Sequence, residues 1–446
     1  MTQGAEQRER HLRQRDLLRF FLPLGASSLL MSIGQPLPVA AVGRLPNQAV
    51  MLAALGVAQS LVQLIEGPGV PILQTATRLS ADAAGAMFAR RFMRRLVFAM
   101  TAVAAVLFLT PVRRPILTGV MGLPPETADA AEPVLMLFVI FPALPTWRQF
   151  YQGVMIRHGY SDRVALSTIG RLAVLVAVLA SLVATGALPG AAAAAVASLA
   201  AQATDASLGQ TLARPAWRRA LAIGGTKVWS AGRMWRFYAP LAMTGLMVVA
   251  ARPMLIAGIG RAGDASVALA AWPAVISIVN MVVNLTGMVQ SMAIAKIEDG
   301  PSLRAMVRFV LTIGGAISAL LAMAAFTPVG RVLVTGGLGI VGPVADTALI
   351  GLRLMAPVPL VIAGNELLRG MLVRTERTPA IRLATMASIA SSATLLFGLL
   401  AVGGLPGVLV GAIAYVGGLA LEFAVLVIRS MPVIRPLCSQ ARAAGA

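Results

Sequence analysis

Arg252 stands beside Pro253 deep in an apolar stretch, roughly 16 residues from Trp235 at its start, or roughly 24 Å at the helical rise. A charge at that depth is costly unless it meets water, a partner or a ligand, so it marks a site by default. The positions 217 residues before Arg252 and Pro253 hold Gln35 and Pro36, within Gln35-Pro36-Leu37-Pro38. Proline removes a backbone donor. Breaks of this kind at midspan are accommodated beside a cavity or a hinge. Pro36, Pro38 and Pro253 are therefore expected as helix-break or hinge positions, and Gln35 and Arg252 as cavity residues.

A second polar group pairs Arg148, Gln149 and Gln152 with Asn365, Glu366 and Arg369 at the same offset, Arg148 and Gln152 being four apart on one helical face. Glu366 and Arg369, three apart, also fit an intrahelical ion pair. Gln59, Gln63 and Glu66 form a stripe, as do Asn280 and Asn284; interhelical hydrogen bonding explains such stripes as readily as cavity lining. Asp205 and Glu422 are counterparts, expected to pair with Arg171 or a loop arginine. Guanidinium groups grip carboxylate or phosphate bidentately. The set Gln35, Arg148, Gln152, Arg252, Asn365 and Arg369 thus points to a small anionic solute, and the deep acids Glu66 and Glu366 to proton or sodium coupling.

The elements that must position these residues are membrane helices. Hydrophobic residues make up 58% of the chain and charged residues 12%, and the mean hydropathy is +0.82, far from the soluble norm. Apolar stretches long enough to cross the hydrocarbon recur about twelve times, over 17–43, 49–77, 94–112, 131–157, 163–186 and 188–212, then 235–260, 266–295, 305–329, 345–374, 379–402 and 405–430. None shows the alternation of a transmembrane barrel. Arg19/Arg236, Pro23/Pro240, Gly43/Gly260, Arg44/Arg261, Pro142/Pro359 and Leu188-Pro189-Gly190/Leu405-Pro406-Gly407 all keep the separation of 217. The expected fold is all-α: a polytopic membrane protein of about twelve helices in two parallel six-helix repeats around a central cavity. The expected division is a tail over 1–16, an N-lobe over 17–213, a basic linker over 214–234, a C-lobe over 235–430 and a tail over 431–446.

The net charge of +20 invites a nucleic-acid partner until its location is checked. Segments at one face hold 26 of the 37 Lys and Arg, whereas the opposite face holds only Arg44, Arg113, Arg114, Arg261 and Arg331. The positive-inside rule then places both termini in the cytoplasm and assigns the charge to topology, with the lipid bilayer and not nucleic acid as partner. An even helix count per half makes the repeats parallel. The Arg-heavy, Lys-poor, Ala-rich usage points to a bacterial plasma (inner) membrane. Cys438 is alone, and His11 and His158 lie near helix ends, so no metal site and no cofactor is expected. The basic segment 214–236, with Trp217, Trp229 and Trp235 and its arginines, suits an interfacial helix.

Gly258-Ile259-Gly260-Arg261-Ala262-Gly263 and Gly337-Leu338-Gly339-Ile340-Val341-Gly342 match the dinucleotide fingerprint but lack its βαβ context. They read as helix ends or loops. With no Walker A loop, nucleophile elbow or zinc motif, and no clustered catalytic set, no catalytic residue is expected.

Phe21-Leu22-Pro23-Leu24, Ile33-Gly34-Gln35, Gly67-Pro68, Phe141-Pro142, His158-Gly159-Tyr160-Ser161, Phe237-Tyr238-Ala239-Pro240-Leu241, Ala251-Arg252-Pro253 and Pro357-Val358-Pro359 span most of residues 17–430. In these segments the chain resembles the multidrug/oligosaccharidyl-lipid/polysaccharide (MOP) exporter superfamily, is MATE-like, and within it is most similar to the progressive ankylosis (ANK) family. The resemblance implies two lobes around a V-shaped cavity that faces each side in turn, and export of small anions such as pyrophosphate, ATP or citrate. Arg252-Pro253 is the match that carries over; beside the position of Gln35 family members carry an acid that this chain lacks. Other readings are a lipid-linked precursor flippase, a cation-coupled multidrug antiporter through Glu66 or Glu366, and, from a different class, a membrane-embedded enzyme or a non-transporting assembly partner.

Overall fold

The computed structural model describes residues 32, 34, 36–160, 162–224, 231–286, 288–297, 299–375 and 377–443. All regular structure among them is helical. In the first half α1 is Pro36–Val42, α2 Gln48–Leu79, α3 Ala83–Leu109 and α4 Pro125–Arg157, α5 Asp162–Thr185 and α6 Gly190–Leu212. A linker helix, Arg214–Ala222, leads to α7, Ala231–Ile259. The second half continues with α8, Ala265–Thr286, extended by Met288–Lys296, α9 Gly300–Phe326, α10 Pro343–Arg374, α11 Thr378–Val402 and α12 Gly407–Ala443. Among the described residues nine of these are long and apolar enough to cross a membrane. Most of the expected first span lies outside the described residues.

The duplication extends to local stops and starts. Asp82 caps α3 by accepting from the Gly85 N–H at 2.7 Å, and its counterpart Asp299 caps α9 in a reciprocal capping box with Ser302. Each cap satisfies backbone donors that a helix start leaves free. These caps set α3 and α9 going 11 and 5 residues before the apolar runs that start at 94 and 305. Apolar content marks only the part of a helix inside hydrocarbon, whereas the early turns of α3 and α9, with Arg90, Arg91 and Arg304, emerge at the interface. Helix breaks repeat as well: α4 tightens at Phe138–Ile140, and α10 bends after Met355 to resume at Val358.

At the α1 break Ser32 is helical, Gly34 is in a turn, and the helix resumes at Pro36, the first-turn position proline tolerates best. Pro253 departs from expectation. It lies buried within α7, which runs as one helix through it to Ile259, so the break of the first repeat has no counterpart here.

Packing follows the small residues. Ala191, Ala193, Ala194 and Ala195 are buried on α6, where methyl groups let neighbouring backbones approach closely. Gly411 plays the same part on α12: a Cβ there would stand 2.6 Å from Ile259 Cδ1. The two lobes meet where α2 crosses α8. A Cβ on Gly56 would lie 2.5 Å from Cγ of Pro273. These two residues are repeat counterparts, so the crossing sits on the local two-fold axis between the halves. The linker helix seats Ala216, Ala220 and Trp217 on the end of the N-lobe, with Arg90 5.1 Å above the Trp217 ring.

Candidate functional site

Helices from both lobes enclose a cavity of about 330 Å³ beside this crossing. Its apolar wall comes from Phe138 and Phe141 at the α4 turn, Trp272 and Pro273 on α8, and Pro38 and Val39 on α1. The polar wall carries Gln59, Gln63 and Glu66 from α2, Arg171 from α5, Gln202 from α6, Arg252 from α7, Asn280 from α8 and Tyr415 from α12. The α2 stripe repeats at 59, 63 and 66 and so presents one face to the cavity.

Arg252 is exposed into this space and donates through Nη1 to Gln63 Oε1 at 2.5 Å. Among the described residues no carboxylate lies within salt-bridge distance of it. Glu66 stands one turn beyond Gln63, at the end of the first segment of α2, with its Oε1 buried and without a hydrogen-bond partner. The segment after it is fixed from two sides. The Tyr238 hydroxyl of α7 donates to the Pro68 carbonyl, and a Cβ on Gly69 would collide with Thr146 Oγ1. Asn284 donates to Ser32 Oγ at 2.8 Å, tying α8 to the residue ahead of the α1 break.

The other sequence-predicted residues gather in two clusters inside the lobes. In the N-lobe, Asp205 is fully buried, with Arg148 Nε at 3.5 Å and Arg171 Nε at 3.6 Å from its Oδ2. Gln152 is buried nearby on α4, its Nε2 without a partner. In the C-lobe, Arg369 donates to Glu366 at 2.7 Å and to Glu422, and Thr385 donates to Glu422 at 3.3 Å. Asn365 is buried beside it, donating to the Leu419 carbonyl at 3.4 Å. The structure therefore brings Arg252, Glu66 and Pro38 to the central cavity and places Arg148, Gln152, Asn365, Glu366 and Arg369 elsewhere. Gln35 lies outside the described residues, Pro36 starts α1 after the break, and Pro253 lies inside the continuous α7.

Sequence reasoning assigned Arg171 only to Asp205. It does meet Asp205, but its side chain also reaches the cavity wall. Its position nine residues into α5 is the signal that singled out Arg252, a charge near midspan. Gln202, Trp272 and Tyr415 carried no such signal. Taken together the lining holds two arginines and one glutamate amid amides and aromatic rings.

No protein-family model and no curated protein matches the chain. Solved structures do. The chain is similar to an inward-facing conformation of a multidrug resistance MATE family transporter of the MOP superfamily, at TM-score 0.63 and 13% identity, over 92% of this chain and 98% of that one. It is similar to an outward-facing conformation of such a transporter at TM-score 0.58 and 15% identity, over 94% and 96%. A MOP superfamily transporter from Pyrococcus furiosus, described by the reverse polarity of its binding pocket, aligns at TM-score 0.57 and 14% identity over 95% and 96%. At these identities the likeness speaks for architecture: the chain has the twelve-helix fold of the MATE transporters of the MOP superfamily.

Proposed function

We propose that this protein is a secondary transporter that exports a small organic or phosphate-bearing anion by alternating access between its two six-helix lobes. The observation that carries the reading is Arg252: a guanidinium in the interlobe cavity, tied to Gln63 and in salt-bridge contact with no acid among the described residues, with Glu66 on the same wall. A guanidinium left in this state is a ready ligand for carboxylate or phosphate, and Arg171 adds a second positive charge on the facing lobe. The short motifs similar to the ANK family support the same solute class. The Pyrococcus furiosus transporter, whose description names reversed pocket polarity and a different function, supports a fold free to carry either pocket charge. Glu66 is the coupling candidate on the cavity wall, whereas Glu366 is engaged by Arg369.

The test is efflux of labelled pyrophosphate, ATP and citrate from proteoliposomes, comparing the unmodified chain with Arg252→Ala. Anion efflux that is lost in the variant supports the reading. Absence of anion efflux together with proton-driven movement of a cationic dye replaces it with cation antiport through Glu66.

A further inference from the structure

At the sparsely basic face each lobe reaches across to the other with an arginine. Arg44, in the turn between α1 and α2, donates through Nη2 to the carbonyls of Gly336 at 2.7 Å and Gly337 at 2.8 Å, which end a π-helical turn, Val332–Gly337, of the C-lobe. Its Nη1 donates back to Ala40 O at 2.7 Å. Arg261, between α7 and α8, repeats each bond: Nη2 to Gly119 O at 3.1 Å and Val120 O at 2.7 Å, Nη1 to Ala257 O at 2.6 Å. The acceptors close the π-helical turn Ile116–Val120 of the N-lobe. Every member of one set stands 217 positions from its counterpart in the other.

The backbones that carry the arginines are in equally close contact. A Cβ on Gly43 would collide with Leu338 O, and one on Gly260, its counterpart, would stand 2.5 Å from Met121 O. Gly122 and Gly339, also counterparts, turn at φ 68° and 71° under the incoming side chains of Arg261 and Arg44. The two nucleotide-like glycine patterns of the sequence thus belong to these contacts, 258–263 to that of Arg261 and 337–342 to that of Arg44. Only glycine tolerates both the approach and the positive φ.

Helix C-termini expose unpaired carbonyls and partial negative charge, which a guanidinium satisfies. Both arginines are exposed, and no acid pairs with either among the described residues, so water can take the carbonyls when the bonds let go. We infer that Arg44 and Arg261 are a symmetric pair of clasps that lock the two lobes together at this face, and that both must release before the central cavity opens there. The transport role rests on the two-lobe reading above; the lock itself does not.

Distances between spin labels at Glu126→Cys and Pro343→Cys, exposed counterparts at the starts of α4 and α10 on opposite lobes, read the opening directly in a Cys438→Ser background of the full chain in lipid nanodiscs. Arg44→Ala with Arg261→Ala is expected to raise the long-distance population at least ten-fold, with each single variant between. Gly43→Ala leaves both arginines in place and wedges the same contact, so it is expected to shift the distribution in the same direction even where the double variant fails to fold. Unchanged distances in folded double-arginine protein, or in folded Gly43→Ala protein, would overturn the clasp. The measurement needs no solute, so a shift in distance without anion efflux removes the proposed substrate and leaves the clasp standing.

Discussion

The two lobes bury a carboxylate at the same repeat position, Asp205 and Glu422, and solve it differently. In the N-lobe two arginines flank one acid loosely, at 3.5 and 3.6 Å, and neither Asp205 oxygen makes a hydrogen bond. In the C-lobe one arginine holds two acids closely, with a threonine hydroxyl added. The arginine has also moved: Arg369 answers Gln152, one helical turn beyond Arg148. The N-lobe cluster keeps a surplus positive charge and opens on the cavity through Arg171; the C-lobe cluster carries a surplus negative charge and closes on itself. The duplicated frame has been kept while one copy of its ionic centre faces the cavity and the other serves its own lobe.

The sharpest way to break this contrast is to remove the acid on the arginine-rich side. Asp205→Ala leaves two arginines in a buried site without a counter-charge and is expected to cost about 3–5 kcal/mol, read as a fall in the detergent melting midpoint larger than that of any substitution in the C-lobe cluster. Arg369→Met leaves two acids unmatched and is expected to cost about 3 kcal/mol, with the KM for anion efflux unchanged because the residue lies off the cavity. Glu422→Gln is expected to be milder, about 1–3 kcal/mol, since Arg369 retains Glu366. Arg171→Gln should barely move the melting midpoint, because Arg148 stays with Asp205. It should weaken anion affinity in the transport assay about ten-fold, or about 1.4 kcal/mol. Equal transport defects in Arg171→Gln and Arg369→Met would erase the distinction between the lobes.

The clasps at the sparsely basic face are the other half of the lesson. There the two copies agree bond for bond, since each arm meets the opposite lobe across one local two-fold axis and a change in one alone would unbalance the pair. Symmetry persists where the lobes grip each other and is lost where they treat charge.

Composition, periodicity and the constant offset were enough to establish the helical class, the duplication and, among the described residues, nine of the twelve expected spans, because a helix in hydrocarbon must satisfy its backbone internally and be apolar along its length. The chain also revealed that Arg252, Glu66 and the α2 stripe were unusual, since their cost at depth does not depend on neighbours. Only the tertiary structure decided which of the deep polar residues meet. Spacing places a side chain on a face of its own helix. The rotation and tilt that turn this face toward a cavity or a lobe interior are set by small-residue packing with other helices. That is why Arg171 came to the cavity wall, why Arg148 and Arg369 with their equally suggestive sequence settings ended in separate clusters, and why two glycine patterns far apart in the chain took corresponding places in two symmetric contacts.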